Sequence, residues 1–222
     1  MNTDIESIKN NFQGFETMGR DNSGILNEEI IDVVQRMAFL AEYRKTNISS
    51  HLKRIKGYCF VLATGMGLSS TDARIIAYAS QLHDIGEIEL PDSLVSKSGQ
   101  FTPYEWEQIK RHPFTGADIL RGAPSVILQM AEVIALTHHE RWDGSGYPRG
   151  LKGEEIPLGG RICGLADVFD ALTTKRPYKA EIAVNDALKM IQEASGKYFD
   201  PVLVDLLAEN FDRIIEIRKL NI

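Results

Sequence analysis

The sequence predicts an all-α protein with one main domain. Three observations carry this: apolar residues recur at helical spacing, helix-start signals recur along the chain, and strand-like alternation is scarce. Residues 1–24 are polar, carry Gly14, Gly19 and Gly24, and read as a weakly ordered segment or connector. From Ile25 the pattern turns helical. Ile30, Ile31, Val33, Val34, Met37, Ala38, Leu40 and Ala41 form a broad apolar stripe, which predicts a helix over 26–44 at the start of a domain spanning 25–222. His51 opens a helix containing Ile55, Tyr58, Phe60, Val61 and Leu62. Ser69 with Asp72 forms a cap before Ile75, Ile76 and Tyr78. Thr102-Pro103-Tyr104-Glu105 combines an N-cap, a proline at the first helical position and a glutamate at the third. Ser125 precedes an apolar helix ending near His138. Pro157 opens another through Ile162, Leu165, Val168 and Leu172. Asn185 precedes Ala187, Leu188 and Ile191, and Gly196 stops that helix. Asp200-Pro201 starts a last helix through Leu203, Leu206, Leu207 and Phe211.

Composition excludes several classes. The chain has 222 residues, 43% hydrophobic and 25% charged, as a packed core with a solvated surface requires. No run of about 18 apolar residues exists to cross a membrane. The start, Met1-Asn2-Thr3-Asp4-Ile5-Glu6, is acidic and polar, unlike a secretory signal. Cys59 and Cys163 lie far apart in apolar stretches and read as reduced core residues, so the cytoplasm is expected. A net charge of −6 argues against a nucleic-acid polymer as partner. An anionic substrate would need positive charge supplied locally, as metal ions supply it.

Polar residues at the ends of apolar helices point to such a centre. His83-Asp84 follows Ile75, Ile76, Ala77, Tyr78, Ala79 and Leu82; His138-His139 follows a second apolar helix; Asp167 lies inside a third; His51 begins a fourth. Buried imidazoles and carboxylates are costly unless paired or metal-bound. Any single doublet is more often a hydrogen-bonded residue than a ligand; several across one domain favour metal. Imidazole with carboxylate suits iron, manganese or zinc, and the lack of thiolates argues against a structural zinc site.

Longer motifs carry a resemblance. His83-Asp84-Ile85-Gly86, the run His138-His139-Glu140-Arg141-Trp142-Asp143-Gly144-Ser145-Gly146-Tyr147-Pro148, and Ala166-Asp167-Val168-Phe169-Asp170-Ala171-Leu172-Thr173 with Arg176-Pro177-Tyr178-Lys179 resemble the HD-GYP family. So do Arg111-His112-Pro113, Ser195-Gly196 and Phe199-Asp200-Pro201, giving similarity over about 41–210. The resemblance implies an HD-domain helical bundle with a short N-terminal helical extension. It also implies hydrolysis of cyclic di-GMP to pGpG and onward to GMP in some members. Two divalent ions, iron or manganese, would be held by His51, His83, Asp84, His112, His138, His139 and Asp167. Asp84 would bridge them, His51, His83 and Asp167 would hold one ion, and His112, His138 and His139 the other. A metal-bridging hydroxide would be the nucleophile. Tyr147, Arg176 and Lys179 would meet the nucleotide, while Gly144, Gly146 and Pro148 shape a tight loop and Trp142 reads as a core anchor in preference to a stacking wall.

Two positions depart from the family pattern. Glu87 stands where a lysine near the scissile phosphate is usual. It would repel phosphate and slow the reaction, act on the attacking water as a general base, or turn into solvent. Asn47, four residues before His51, stands where members with a third metal carry glutamate, so two ions are expected. Alternatives follow: a slow or inactive domain sensing a cyclic dinucleotide or docking a protein, or a hydrolase of another cyclic dinucleotide. The 26–44 helix is expected to serve a homodimer or an upstream sensory or receiver domain.

Overall fold

The computed structural model describes residues 26–45, 48–97, 99–175 and 181–221. The polar segment over 1–24, Asn47, Arg176 and Lys179 lie outside the described residues. The described residues form helices and short 3-10 turns without a strand; Ser195 and Phe199 make an isolated bridge.

The N-terminal helix, α1 (Glu28–Glu42), starts at Asn27, whose side chain accepts from the Glu29 amide at 2.9 Å. Its inward face is narrower than the sequence stripe. Val34, Ala38 and Ala41 are buried, whereas Val33, Phe39 and Leu40 are exposed. Helix α2 (Ile48–Gly65) is the core helix, burying Leu52, Ile55, Tyr58, Cys59, Val61 and Leu62. Against it pack α3 (Ser70–Ala79), capped by Ser69, and a later helix over Leu158–Thr173. Helix α3 tightens into a 3-10 turn over Ser80–Leu82, passes through His83-Asp84 and re-coils as a second turn over Ile85–Glu89. Short α4 (Asp92–Val95) and α5 (Pro103–Ile109) follow. The Thr102–Glu105 capping box expected from the sequence is present in full.

Helices α6 (His112–Leu120) and α7 (Val126–Thr137) form an antiparallel-connected pair whose ends supply histidines. Helix α8 (Leu158–Thr173) buries Ile162, Leu165, Ala166 and Phe169, and Phe169 meets Tyr58 edge-on at 5.6 Å. Each fully buried side chain of this size contributes roughly 1.5–3 kcal/mol. Cys59 and Cys163 are buried and free.

The C-terminal third differs from expectation in its boundaries. Helix α9 (Val184–Glu193) places Asn185 inside the first turn, with Ala183 at the N-cap, and ends before Gly196, which sits at φ +70° in the return turn. The helix expected to run from Pro201 through Phe211 breaks into α10 (Pro201–Glu209) and α11 (Phe211–Leu220). At the break, both the Asn210 backbone amide and its side chain donate to the Leu206 carbonyl, at 3.0 and 2.9 Å, which closes the end of α10.

Candidate metal centre

Four histidines are aimed by their Nδ1 atoms. His83 Nδ1 lies 2.8 Å from the Ser80 carbonyl, His112 Nδ1 2.7 Å from that of Ile109 and His138 Nδ1 3.0 Å from that of Ala135. A carbonyl only accepts, so each Nδ1 carries hydrogen and each Nε2 lone pair faces inward. The acceptors belong to the turns that precede each histidine, so the helix ends set the ring directions. His51 is held differently: its Nδ1 lies 2.8 Å from Asp170, and Arg54 grips the same carboxylate at 2.5 and 2.9 Å. Gly86 lets α6 come close, because a Cβ there would run into the His112 carbonyl.

The inward atoms form two clusters. Asp84, His112, His138 and His139 offer ligand atoms within 4.8 Å of one another; Glu42, His51 and His83 form the second set. Asp84 faces both. Its Oδ1 is 3.5 Å from His112 Nε2 and 3.4 Å from His138 Nε2, and its Oδ2 is 3.4 Å from His83 Nε2. Asp167 Oδ1 stands 3.9 Å from His83 Nε2. Two ligands each about 2.1 Å from one ion stand about 3.0–3.4 Å apart, close to these separations. Buried His83 Nε2 and both Glu42 carboxylate oxygens have no hydrogen-bond partner. Unpartnered buried polar atoms are costly, and a cation would satisfy them. The donor set fits divalent metal.

Protonation follows the same geometry. Burial works to raise the Asp84 carboxyl, but Lys45 together with His83, His138 and His112 holds it well below the usual range. Burial pushes His112 down to about 4 against the pull of Asp84. Burial and the neighbouring His138 and His112 push His139 well below its ordinary value. His138 is raised, because Asp84 outweighs its burial. Burial and Asp84 push Glu87 up to about 7, with Lys45 pulling the other way.

The signature loop covers the imidazole cluster. Tyr147 stacks on His139 with ring centroids 4.7 Å apart, and Trp106 meets Tyr147 edge-on at 6.0 Å. Glu140 accepts from the Arg149 and Leu151 amides at 2.7 and 3.1 Å, closing the loop. Gly146 sits so close to Glu140 and Arg141 that a Cβ would strike their backbone, and the Tyr147-Pro148 peptide is cis. Trp142 lies under the Arg161 guanidinium at 5.7 Å, beside a cavity of about 290 Å³ that reaches His138 and His139.

Thus the structure gathers His51, His83, Asp84, His112, His138, His139 and Asp167, with Glu87 and Tyr147 beside them. The nucleotide contacts expected from Arg176 and Lys179 fall outside the described residues. Sequence reasoning missed Glu42, Lys45, Arg54 and Asp170. Asp170 carried a signal: it lies three residues after Asp167, one turn along the same helix face.

A family model described as HD domain matches residues 35–203. A 3'3'-cGAMP-specific phosphodiesterase of Vibrio cholerae is 40% identical over 193 residues, 87% of this chain and 37% of its own length. The cyclic di-GMP phosphodiesterase response regulator RpfG of Xanthomonas campestris is 41% identical over 202 residues, 91% of this chain and 53% of its own. A cyclic di-GMP phosphodiesterase of Thermotoga maritima is 43% identical over 176 residues, 79% of this chain and 48% of its own. The chain thus spans about half or less of the length of these relatives. Among solved structures, a cyclic GMP-AMP-specific phosphodiesterase of V. cholerae superposes with a TM-score of 0.61 at 20% identity, covering 86% of this chain and 52% of that one. Fold, matched model and ligand cluster place this chain in the HD-domain family. With Gly146-Tyr147-Pro148 over the histidine pair, it is an HD-GYP domain.

Proposed function

We propose that this chain is a two-metal phosphodiesterase that opens cyclic di-GMP to pGpG and carries some product on to GMP. The observation that carries this is Asp84 standing between an imidazole cluster and a carboxylate-imidazole cluster. His112, His138 and His139 would hold one ion; His51, His83, Asp167 and Glu42 would hold the other. Iron or manganese suits imidazole and carboxylate. When bound, such a pair supplies Lewis acidity and an activated water. The chain's own part is positional. Backbone carbonyls fix three rings, Asp170 fixes His51, and Tyr147 walls the site with an aromatic face on which a base can stack. Arg176 and Lys179 would add contacts to phosphate or guanine.

A second reading, hydrolysis of a hybrid cyclic dinucleotide, is favoured by the relative named for 3'3'-cGAMP. No described helix is long and apolar enough to cross a membrane. The exposed Val33, Phe39, Leu40 and Tyr43 support a role for α1 in meeting a second copy or a sensory domain. An anaerobic turnover assay with iron or manganese, run on cyclic di-GMP and 3'3'-cGAMP side by side, tests the reading. Faster turnover of cyclic di-GMP supports it; preference for the hybrid moves the assignment to the second substrate. Tight binding of either nucleotide without turnover would identify a sensor instead.

A further inference from the structure

We infer that Lys45 is the substrate-facing positive charge of this centre and that Glu87 is its positioning residue. The inference rests on the phosphodiesterase reading above. By sequence alone, Glu87 puts a negative charge where a phosphodiester must approach. The structure changes that balance. Lys45 Nζ lies 2.7 Å from Glu87 Oε2 and 2.6 Å from Asp84 Oδ2, so Glu87 enters the site as half of an ion pair. The ammonium comes from the chain just beyond α1, whereas Glu87 sits on the 3-10 turn after the Asp84 ligand.

Three further facts point the ammonium at substrate. An ammonium has three N–H donors. Asp84 and Glu87 take two, and Glu42 Oε2, at 3.6 Å, is too far for a normal hydrogen bond. The Lys45 side chain also keeps 30% of its surface open, so it lies at the edge of the centre and is not sealed within it. Finally, the geometry is braced. Arg44 donates to the Glu87 carbonyl at 2.5 Å, to the Leu90 carbonyl at 2.6 Å and to Asp92 at 2.9 Å, clamping the Glu87 turn to the chain segment that bears Lys45. With Glu42, Asp84 and Asp167 nearby, loss of Lys45 would remove the side-chain cation set among these carboxylates and leave bound metal alone to meet an anionic substrate. Glu87 therefore serves by holding Lys45, and adding a second lysine at its position would repel the first.

The test uses the full chain loaded with manganese and a phosphorothioate analogue of cyclic di-GMP, which binds without rapid turnover. Dissociation constants come from calorimetry and metal content from elemental analysis. Lys45→Met is expected to weaken analogue binding about tenfold while the metal content stays at the natural level. Glu87→Gln is expected to weaken it by about threefold, and Glu87→Lys by more. The double exchange, Lys45→Glu with Glu87→Lys, is expected to recover affinity to within about threefold of the natural protein. Unchanged affinity in Lys45→Met would overturn the inference, as would a double exchange no better than its worse single component. Loss of metal from Lys45→Met would also overturn it, by making Lys45 a brace for the ligands. If the natural protein holds metal but binds no analogue, the phosphodiesterase reading fails first and takes this inference with it.

Discussion

The two halves of the centre are built from different materials. On one side, His112 and His138 meet Asp84 Oδ1 with His139 in the same cluster, and His112 and His138 are aimed by backbone carbonyls. On the other, His83 meets Asp84 Oδ2, His51 and Glu42 cluster with His83, Asp167 stands 3.9 Å from His83 Nε2, and Lys45 is pressed against Asp84. The imidazole half is built from three histidine rings and sits under an aromatic loop. In the carboxylate half His83 is also aimed by a carbonyl, but His51 depends on the Asp170–Arg54 ion pair and Asp84 is paired with Lys45. A carbonyl cannot be mutated away, whereas an ion pair can. The imidazole half should therefore resist single substitutions outside its ligands, and the carboxylate half should not.

Removing Asp84 erases the distinction and has the largest expected effect. Asp84→Ala takes one ligand from each half and leaves His83 Nε2, His112 Nε2 and His138 Nε2 facing a gap. Turnover should fall to background, and metal content should drop in both halves. Elemental analysis beside a turnover assay checks this; a variant that keeps a full metal complement would show that Asp84 does not bridge.

Asp170→Asn should separate the halves. Asp170 touches no expected ion position, yet it orients His51 and pairs with buried Arg54. Losing an outer partner of this kind typically costs about 10–100-fold in metal affinity. Breaking a buried ion pair costs roughly 3–5 kcal/mol. Arg54 keeps bonds to the Asn221 carbonyl and Thr174, which places the expected cost at or below the bottom of that range, about 2–3 kcal/mol. Stoichiometry should fall toward one ion per chain while the imidazole half stays filled. Metal titration with thermal unfolding reads both effects, and equal weakening of both ions would contradict the division.

Glu42→Gln is a finer probe of the same side. Its two carboxylate oxygens are buried without hydrogen-bond partners, so the amide would retain the shape and lose the charge. The second ion should bind about tenfold more weakly, in line with carboxylate preference of hard cations. Unaltered metal affinity would remove Glu42 from the ligand set.

The difference between halves also explains what could be read from the sequence. The helix class, the capping box at Thr102 and the histidine pairs are local patterns, so periodicity and spacing expose them. Gly146-Tyr147-Pro148 is a contiguous motif and tied those residues to a family. Glu42 and Lys45 lie at the end of a helix that the apolar stripe marked only as an extension. Their arrival beside Asp84 depends on how α1 folds back along the turns after α3, a long-range fact with no local signature. Glu87 shows the limit most clearly. Its charge was legible, but the sign of its effect depends on a lysine 42 positions earlier in the chain (87 − 45), brought within 2.7 Å.

The smallest expected effect tests whether the imidazole half is coupled to the surface at all. Thr102 caps α5, α5 carries Trp106, Trp106 touches Tyr147, and Tyr147 stacks on His139. Thr102→Ala removes a cap worth about 1 kcal/mol. For a chain of this size that lowers the melting temperature by about 2–4 °C. His138 is aimed by a carbonyl of α7, and His112 by that of Ile109 at the opposite end of α5 from the cap, so metal content should not change. Nucleotide affinity should fall by about twofold at most, through a looser Trp106 behind Tyr147. Loss of metal in this variant would mean that the imidazole half is not insulated from substitutions outside its ligands, whether through the Ile109 carbonyl or through the aromatic loop. The contrast between a half fixed by backbone and a half fixed by ion pairs would then have to be abandoned.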